Sequence, residues 1–386
     1  MKKGKLKVLL GVLIASMTIG LGSPVLSAED AYEEDPAKKT GGVKSLEQRI
    51  EQLEKAVVRP VEGQKWYDRI AISGLIEVEA FYQQIDFNDP AVADTDASDV
   101  DLATVELVVD ARIVDHVDGH VMFKYEDDDV FVDEGFITLS GTDAFPAYLI
   151  AGRQYVPFGN FDSYFVSDPN TLILGETNEG AVVAGYRFGG EMVDLSAGLF
   201  NGKIDQAGDD DAIDSFVLAV AAKPLEFLKA GVSYTSNLAS ADAFFEDAID
   251  GIGVTELNDL VGGWSAFVTV EFLERFTIIG EYVGALDDFA AGELYDPADT
   301  TRRKPSAWNL ELGVGLLEDL EVAIRYGGSD DGVDVLPETQ YGAVLNWGFF
   351  KNTNLALEYL HDEYEDTALG VDQEVDTYTA QLAVVF

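Results

Sequence analysis

The chain has 386 residues, with 71 acidic against 25 basic side chains and a formal net charge of −46. Such an acidic chain is excluded from electrostatic binding of nucleic acid, and the lack of cysteine excludes disulfides and thiolate metal sites. With 22 Phe, 16 Tyr and 4 Trp it is too aromatic for an acidic disordered polymer, so acid and apolar surface must be segregated in a fold.

Lys2, Lys3, Lys5 and Lys7 precede an apolar stretch from Val8 to about Gly22, and Ser23 to Ala28 lead into Glu29 and Asp30. This is the layout of a secretory signal peptide, predicted over 1–28. The alternative is an N-terminal anchor, but the run is short for a span of ~20 residues. No later stretch suits a membrane helix. A secreted chain that crosses a membrane then does so as a closed barrel.

Residues 29–65 are predicted as a periplasmic segment. Within it Leu46, Ile50, Leu53 and Val57 mark an a/d seam on a helix over 43–58, ended by Pro60 and Gly63. Two readings stand beside each other. One is a short coiled coil that gathers a homotrimer; the other is a single amphipathic helix on the barrel rim.

From residue 66 to 386 the apolar pattern has period 2. The predicted strands are 70–83, 99–112, 118–126, 131–140, 146–156, 179–189, 191–201, 214–222, 228–237, 262–272, 276–284, 304–316, 320–328, 340–349, 353–362 and 374–386. Connections alternate between short and long, apart from the short 127–130. The fold class this predicts is all-β: an outer-membrane antiparallel barrel of about 16 strands, short turns periplasmic and long loops outside.

Alternation assigns the faces. On the second strand Ala103, Val105, Leu107, Val109 and Ala111 are expected to face lipid. Glu77, Glu79, Glu106, Asp110, Lys124, Glu311, Arg325 and Glu358 are expected to face the lumen, as is Arg153, because a charge at the bilayer midplane costs ~2–4 kcal/mol for Arg or Lys. Trp66, Tyr82, Tyr125, Tyr155, Tyr282, Trp308, Tyr326, Trp347 and Tyr359 read as interface girdles. No plug domain precedes the first strand, so the lumen is expected to hold water.

The third outer loop, 157–178, is too rich in Phe, Tyr, Pro and Gly for a solvated tip. It is expected to fold inward, with Phe158, Phe161, Tyr164 and Phe165 packing on the inner wall. Asp162, Asp168 and Glu176 would then face Arg153 and Arg187 across a constriction, where opposed charges create a transverse field. A lid over the mouth is the bland alternative.

The last strand carries Tyr378, Ala380, Leu382, Val384 and Phe386 on one face. An apolar face running to a final aromatic suits a barrel-closing strand and resembles the signal that barrels present to their assembly machinery. The remaining acids, among them Asp94, Asp96, Asp209 to Asp211, Asp287, Asp288, Asp330 and Asp331, lie in outer loops. A solvated rim that meets lipopolysaccharide through divalent ions is preferred to a Ca²⁺ site, since no Asp-x-Asp-x-Asp-Gly loop occurs. No cofactor is expected. Histidine occurs at 116, 120 and 361; none is expected at the lipid face beside a serine, as an outer-membrane phospholipase would need, and no enzyme motif appears.

Ser73-Gly74-Leu75-Ile76-Glu77, Leu102-Ala103-Thr104-Val105-Glu106-Leu107, Ala151-Gly152-Arg153-Gln154-Tyr155-Val156-Pro157-Phe158-Gly159, Ala307-Trp308-Asn309-Leu310-Glu311 and Leu357-Glu358-Tyr359-Leu360-His361 resemble the LbtU-type siderophore porins. The resemblance runs from the coiled-coil segment to Phe386. It implies a Gram-negative outer-membrane porin that takes up a ferric siderophore without an energised plug. A structural tether, with the barrel as anchor and the 43–58 helix reaching the cell wall, is the alternative in another class.

Overall fold

The computed structural model describes residues 66–126, 129–190, 192–208, 212–365 and 371–386. The expected signal peptide and the helix at 43–58 lie outside them. Eighteen strands follow a 3₁₀ turn at Trp66–Arg69. In chain order they are β1 Ile70–Phe87, β2 Thr95–Val114, β3 Val117–Glu126, β4 Asp129–Thr142, β5 Phe145–Tyr155, β6 Asn178–Phe188, β7 Val193–Phe200, β8 Asp205–Gln206, β9 Ser215–Leu225, β10 Leu228–Thr235, β11 Glu256–Leu257, β12 Gly263–Phe272, β13 Phe276–Ala285, β14 Ser306–Leu317, β15 Leu320–Asp330, β16 Thr339–Phe350, β17 Thr353–Tyr364 and β18 Gln373–Val385. All except β8 and β11 form one closed antiparallel barrel of 16 strands, each paired with its chain neighbour. β8 and β11 pair in parallel within the long loops. Two short helices also sit in those loops, α1 at Asn170–Gly175 and α2 at Asp242–Ala248.

Closure joins β1 to β18, with Tyr82 opposite Tyr378 and Leu75 opposite Val385. The seam ends at Gly74, whose amide donates to the Phe386 carbonyl at 2.9 Å while the Phe386 amide donates back at 3.0 Å. The Phe386 ring covers Gly74 where a Cβ would stand, so only glycine lets the last aromatic lie flat on the wall.

The outer face is apolar. Ile72, Ile76, Leu107, Leu310, Ile324, Leu357 and Leu382 are exposed on it, and aromatic contacts such as Tyr82 with Tyr378, Tyr359 with Tyr378 and Trp308 with Tyr326 band it. One face assignment needs correction. The register passes from Glu77 opposite Thr104 to Val78 opposite Leu102, so Ala103 is the extra residue of a β-bulge. Above the bulge the parity reverses: Ala103 is 8 % exposed, whereas Leu102 is 42 % and Val100 68 % exposed.

The two rims differ. On one, turns of a few residues join β2–β3, β4–β5 and their counterparts. On the other, the loops fold inward over a shared apolar core that includes Phe158, Leu174, Phe200, Leu238, Phe244, Phe289, Leu294 and Leu336. The wall alternates and gives at most every second residue to such a core; it contributes Val183, Val217 and Val283, and the loops supply the large aromatic side chains.

Candidate functional site

The connection from β5 to β6 has almost no backbone ladder of its own, and its amides need acceptors if they leave water. The barrel wall supplies carboxylates in sequence. Glu281 on β13 accepts the amides of Asn160 and Phe161, each at 2.8 Å. Glu311 on β14 accepts the Ser163 hydroxyl and the Tyr164 amide, again at 2.8 Å. Glu358 on β17 accepts the amides of Val166 and Ser167 and the Ser167 hydroxyl. On β10, the Ser233 hydroxyl accepts the Gly159 amide at 2.9 Å. The loop is thus fastened along the wall from β10 to β17.

Arg325 on β15 ties the fastening together. Its side chain is wholly buried and its Nε is 3.0 Å from Glu311. It donates to the carbonyls of Ser167 at 2.9 Å and Asp168 at 3.3 Å, and to the Ser163 hydroxyl at 2.6 Å. The guanidinium also lies 4.2 Å from the centre of the Phe165 ring. Charge, fork geometry and ring stacking are all used, a combination that lysine cannot reproduce.

The four loop aromatics lie inside the barrel. Phe158 joins the apolar core of the loops, and Phe161 packs against it. Phe165 is buried with Ala323, Val344, Ala356 and Leu360 of the wall. A glycine makes the room: the Tyr164 ring occupies the space over Gly313. The return limb is α1, all six residues of which are buried. The Glu176 carbonyl then accepts the Asp242 amide at the start of α2.

The loop acids have separate fates. Asp162 meets Lys229 at 3.4 Å. Asp168 is buried, and burial pushes its carboxyl up to about 8 against the pull of Arg325 and Lys124. Glu176 is held well above the usual range by burial and by the like charges of Asp168 and Asp242. Burial also raises Asp242, although Lys203 stands 2.8 Å from it.

The cations facing these acids differ from those expected. Arg187 is the last residue but one of β6, nine positions beyond Asn178 beside the loop, or roughly 30 Å along a strand. It sits half-exposed at the short-turn rim, 3.2 Å from Asp194 and 4.9 Å from the Tyr148 ring. Arg153 is exposed and donates to the Asp133 carbonyl at 3.2 Å. Lys124, Arg325, Lys203 and Lys229 take the opposing role. The sequence named the first two as inward-facing, but Lys203 and Lys229 carried no signal, and neither did the anchoring role of Glu281.

The β1–β4 wall carries the other inward acids. Glu77, Glu106 and Lys124 are buried. Lys124 lies 3.0 Å from Glu126, and Glu79 accepts the Gln381 amide at 2.8 Å. Asp110 is 2.7 Å from His120 Nδ1, and the imidazole stacks on Phe136. His116 occupies a short turn at φ 68°, so the two histidines do not converge. Among the described residues no group of three His, Asp or Glu side chains is placed to hold a metal ion.

His361 is the third histidine. It shares the parity of Leu357 and Tyr359 and therefore lies on the outer face. Its partners are Asp376 at 2.8 Å and Glu363 at 3.5 Å, with the Tyr341 ring 4.7 Å away; no serine is among them.

No family model matches the chain. A UPF0422 protein of Legionella pneumophila (strain Lens) is 24 % identical over 82 % of this chain and 66 % of its own length. A UPF0422 protein of Coxiella burnetii is 27 % identical over 64 % of this chain and 55 % of its own. The chain thus spans less than two thirds of these relatives. Among solved structures, the outer membrane channel DcaP of Acinetobacter baumannii superposes with a TM-score of 0.58 at 14 % identity, covering 84 % of this chain and 100 % of that one. An anion-selective porin from Comamonas acidovorans gives 0.57 at 12 % identity, over 82 % of this chain and 99 % of that one. These likenesses establish a porin-type barrel.

Proposed function

We propose that this protein is an outer-membrane channel of a Gram-negative bacterium, through which small solutes diffuse past a constriction made by the 156–177 loop. The observation that carries the reading is the inward-folded loop, held by Glu281, Glu311, Glu358 and Arg325. A loop fastened so thoroughly narrows the lumen permanently. The short-turn rim then faces the periplasm, with the 29–65 segment beside it. Asp168 and Glu176 on the loop and Lys124 on the wall border the narrow zone.

Its lining is predominantly acidic, so cations pass in preference to anions. The selectivity named for the Comamonas porin is therefore not carried over. The resemblance to siderophore porins suggests a ferric siderophore as solute, and an acidic neck favours a neutral or cationic complex. Tyr378, Leu382, Val384 and Phe386 are read as the signal for barrel assembly, lipopolysaccharide as the neighbour of the acidic outer loops, and the 43–58 helix as the trimer contact. An unchanged oligomer mass after deletion of 43–58 would remove that helix as the cause of trimerisation.

Single-channel recording of the refolded full chain under a KCl gradient tests the proposal. Stable steps with a cation-selective reversal potential are expected. Correctly folded protein that never conducts would overturn it and favour the tether.

A further inference from the structure

Two inward faces of the barrel are acidic, and only one of them is neutralised. Next to the constriction, Glu77, Glu106, Glu126 and Asp133 of the β1–β4 wall and Asp168 and Glu176 of the loop surround one ammonium, that of Lys124. Lys124 is in electrostatic reach of Glu106, Glu126 and Asp133 and in turn of Asp168 and Glu176. Arg325 is committed to Glu311 and the loop backbone, Lys203 to Asp242, and Arg153 to the Asp133 backbone, within reach of the Asp133 and Asp242 carboxylates. Buried carboxylates in such excess are unfavourable unless protons or cations accompany them.

A second observation singles out Glu106. Glu106 is 1 % exposed and stands opposite Lys124 in the β2–β3 register. Its Oε1 is buried with no hydrogen-bond partner, whereas the carboxylates of the opposite wall are fully engaged. Two residues further along the same strands, Val108 and Met122 face each other in register, both buried. An acceptor without a donor thus adjoins an apolar pair.

We propose that this is a subsite for a solute bearing a primary alkylammonium group, with the ammonium at Glu106 and the alkyl stem along Val108 and Met122. The inference rests on the channel reading for its physiological meaning. An ammonium fits better than a metal ion. Its three N–H donors can be shared among separate carboxylates, whereas the described residues offer no converging set of metal ligands.

The test is calorimetric titration of the detergent-refolded full chain with pentylammonium and with tetramethylammonium, which has the same charge and no N–H donor. Pentylammonium should bind at least tenfold more tightly. Glu106→Gln should abolish that tenfold preference, and Met122→Ala, a variant independent of the acidic cluster, should weaken pentylammonium alone. Equal affinities for the two cations, or an undiminished preference in both variants, would overturn the proposal. Binding is read without conduction, so a silent channel would sink the functional reading while leaving this result interpretable.

Discussion

Two walls of the same lumen use the same residue type for opposite ends. On the β13–β17 wall, Glu281, Glu311 and Glu358 are saturated by loop amides, serine hydroxyls and Arg325. On the β1–β4 wall, Asp133 is filled by Tyr155 and Asn178, whereas Glu77 and Glu106 share Lys124 and Glu106 keeps one oxygen without a donor. A buried carboxylate is tolerable when its oxygens are filled and costly when they are not. The first wall therefore holds the loop, and on the second Glu106 keeps an acceptor that the loop does not fill. A glutamate in a lumen cannot be read as functional until its partners are known.

The largest effect that would break this contrast is expected at Arg325. Arg325→Met leaves Glu311 buried without its counter-charge and should cost about 3–5 kcal/mol, measured by urea unfolding of the folded barrel. A loss under ~1 kcal/mol would mean that the guanidinium does not hold the loop. Glu358→Gln removes one of the acceptors that hold Val166 and Ser167; about 1–3 kcal/mol should be lost and single-channel conductance should rise as the loop loosens. By comparison Glu77→Gln, on the other wall, should leave the loop in place and shift ion selectivity instead. Gly313→Val fills the space the Tyr164 ring needs; overpacking of that kind costs about 1–3 kcal/mol, and an unaltered melting temperature would argue that the ring is not confined.

A pH series sharpens the comparison further. Burial raises the Asp168 carboxyl from the ordinary aspartate range to about 8, so the folded state holds its proton more tightly than the unfolded one. Its contribution to stability is complete below the unfolded value and is lost as pH rises towards 8. Over the same interval the neck gains negative charge, and cation selectivity should increase. Asp168→Asn should flatten both trends; reversal potentials that rise equally in the variant would assign the effect elsewhere. The smallest effect is expected at the short-turn rim. Arg187→Gln breaks a half-exposed pair with Asp194 and should change stability by no more than ~0.5 kcal/mol, with conductance unaltered.

The sequence determined the barrel. Period-2 alternation named the lipid face, loop lengths separated the rims, and a glycine- and aromatic-rich third loop announced that it would leave water, because these are local properties of the chain. It also set Glu311, Glu358, Lys124 and Arg325 on the inner face. Tertiary structure alone decided what each one meets. Alternation fixes which side a residue takes but not its height or its partner across the lumen, so the expected match set Arg187 against acids at the far end of its own strand. Glu281, Lys203 and Lys229 had no local mark because their partners lie on loops 39 or more positions away. The bulge at Ala103 likewise depends on pairing with β1, since a single extra residue is invisible until two strands are laid side by side. Above all, the division into a saturated wall and an unsaturated one arises only when the loop folds inward and chooses which carboxylates to fill.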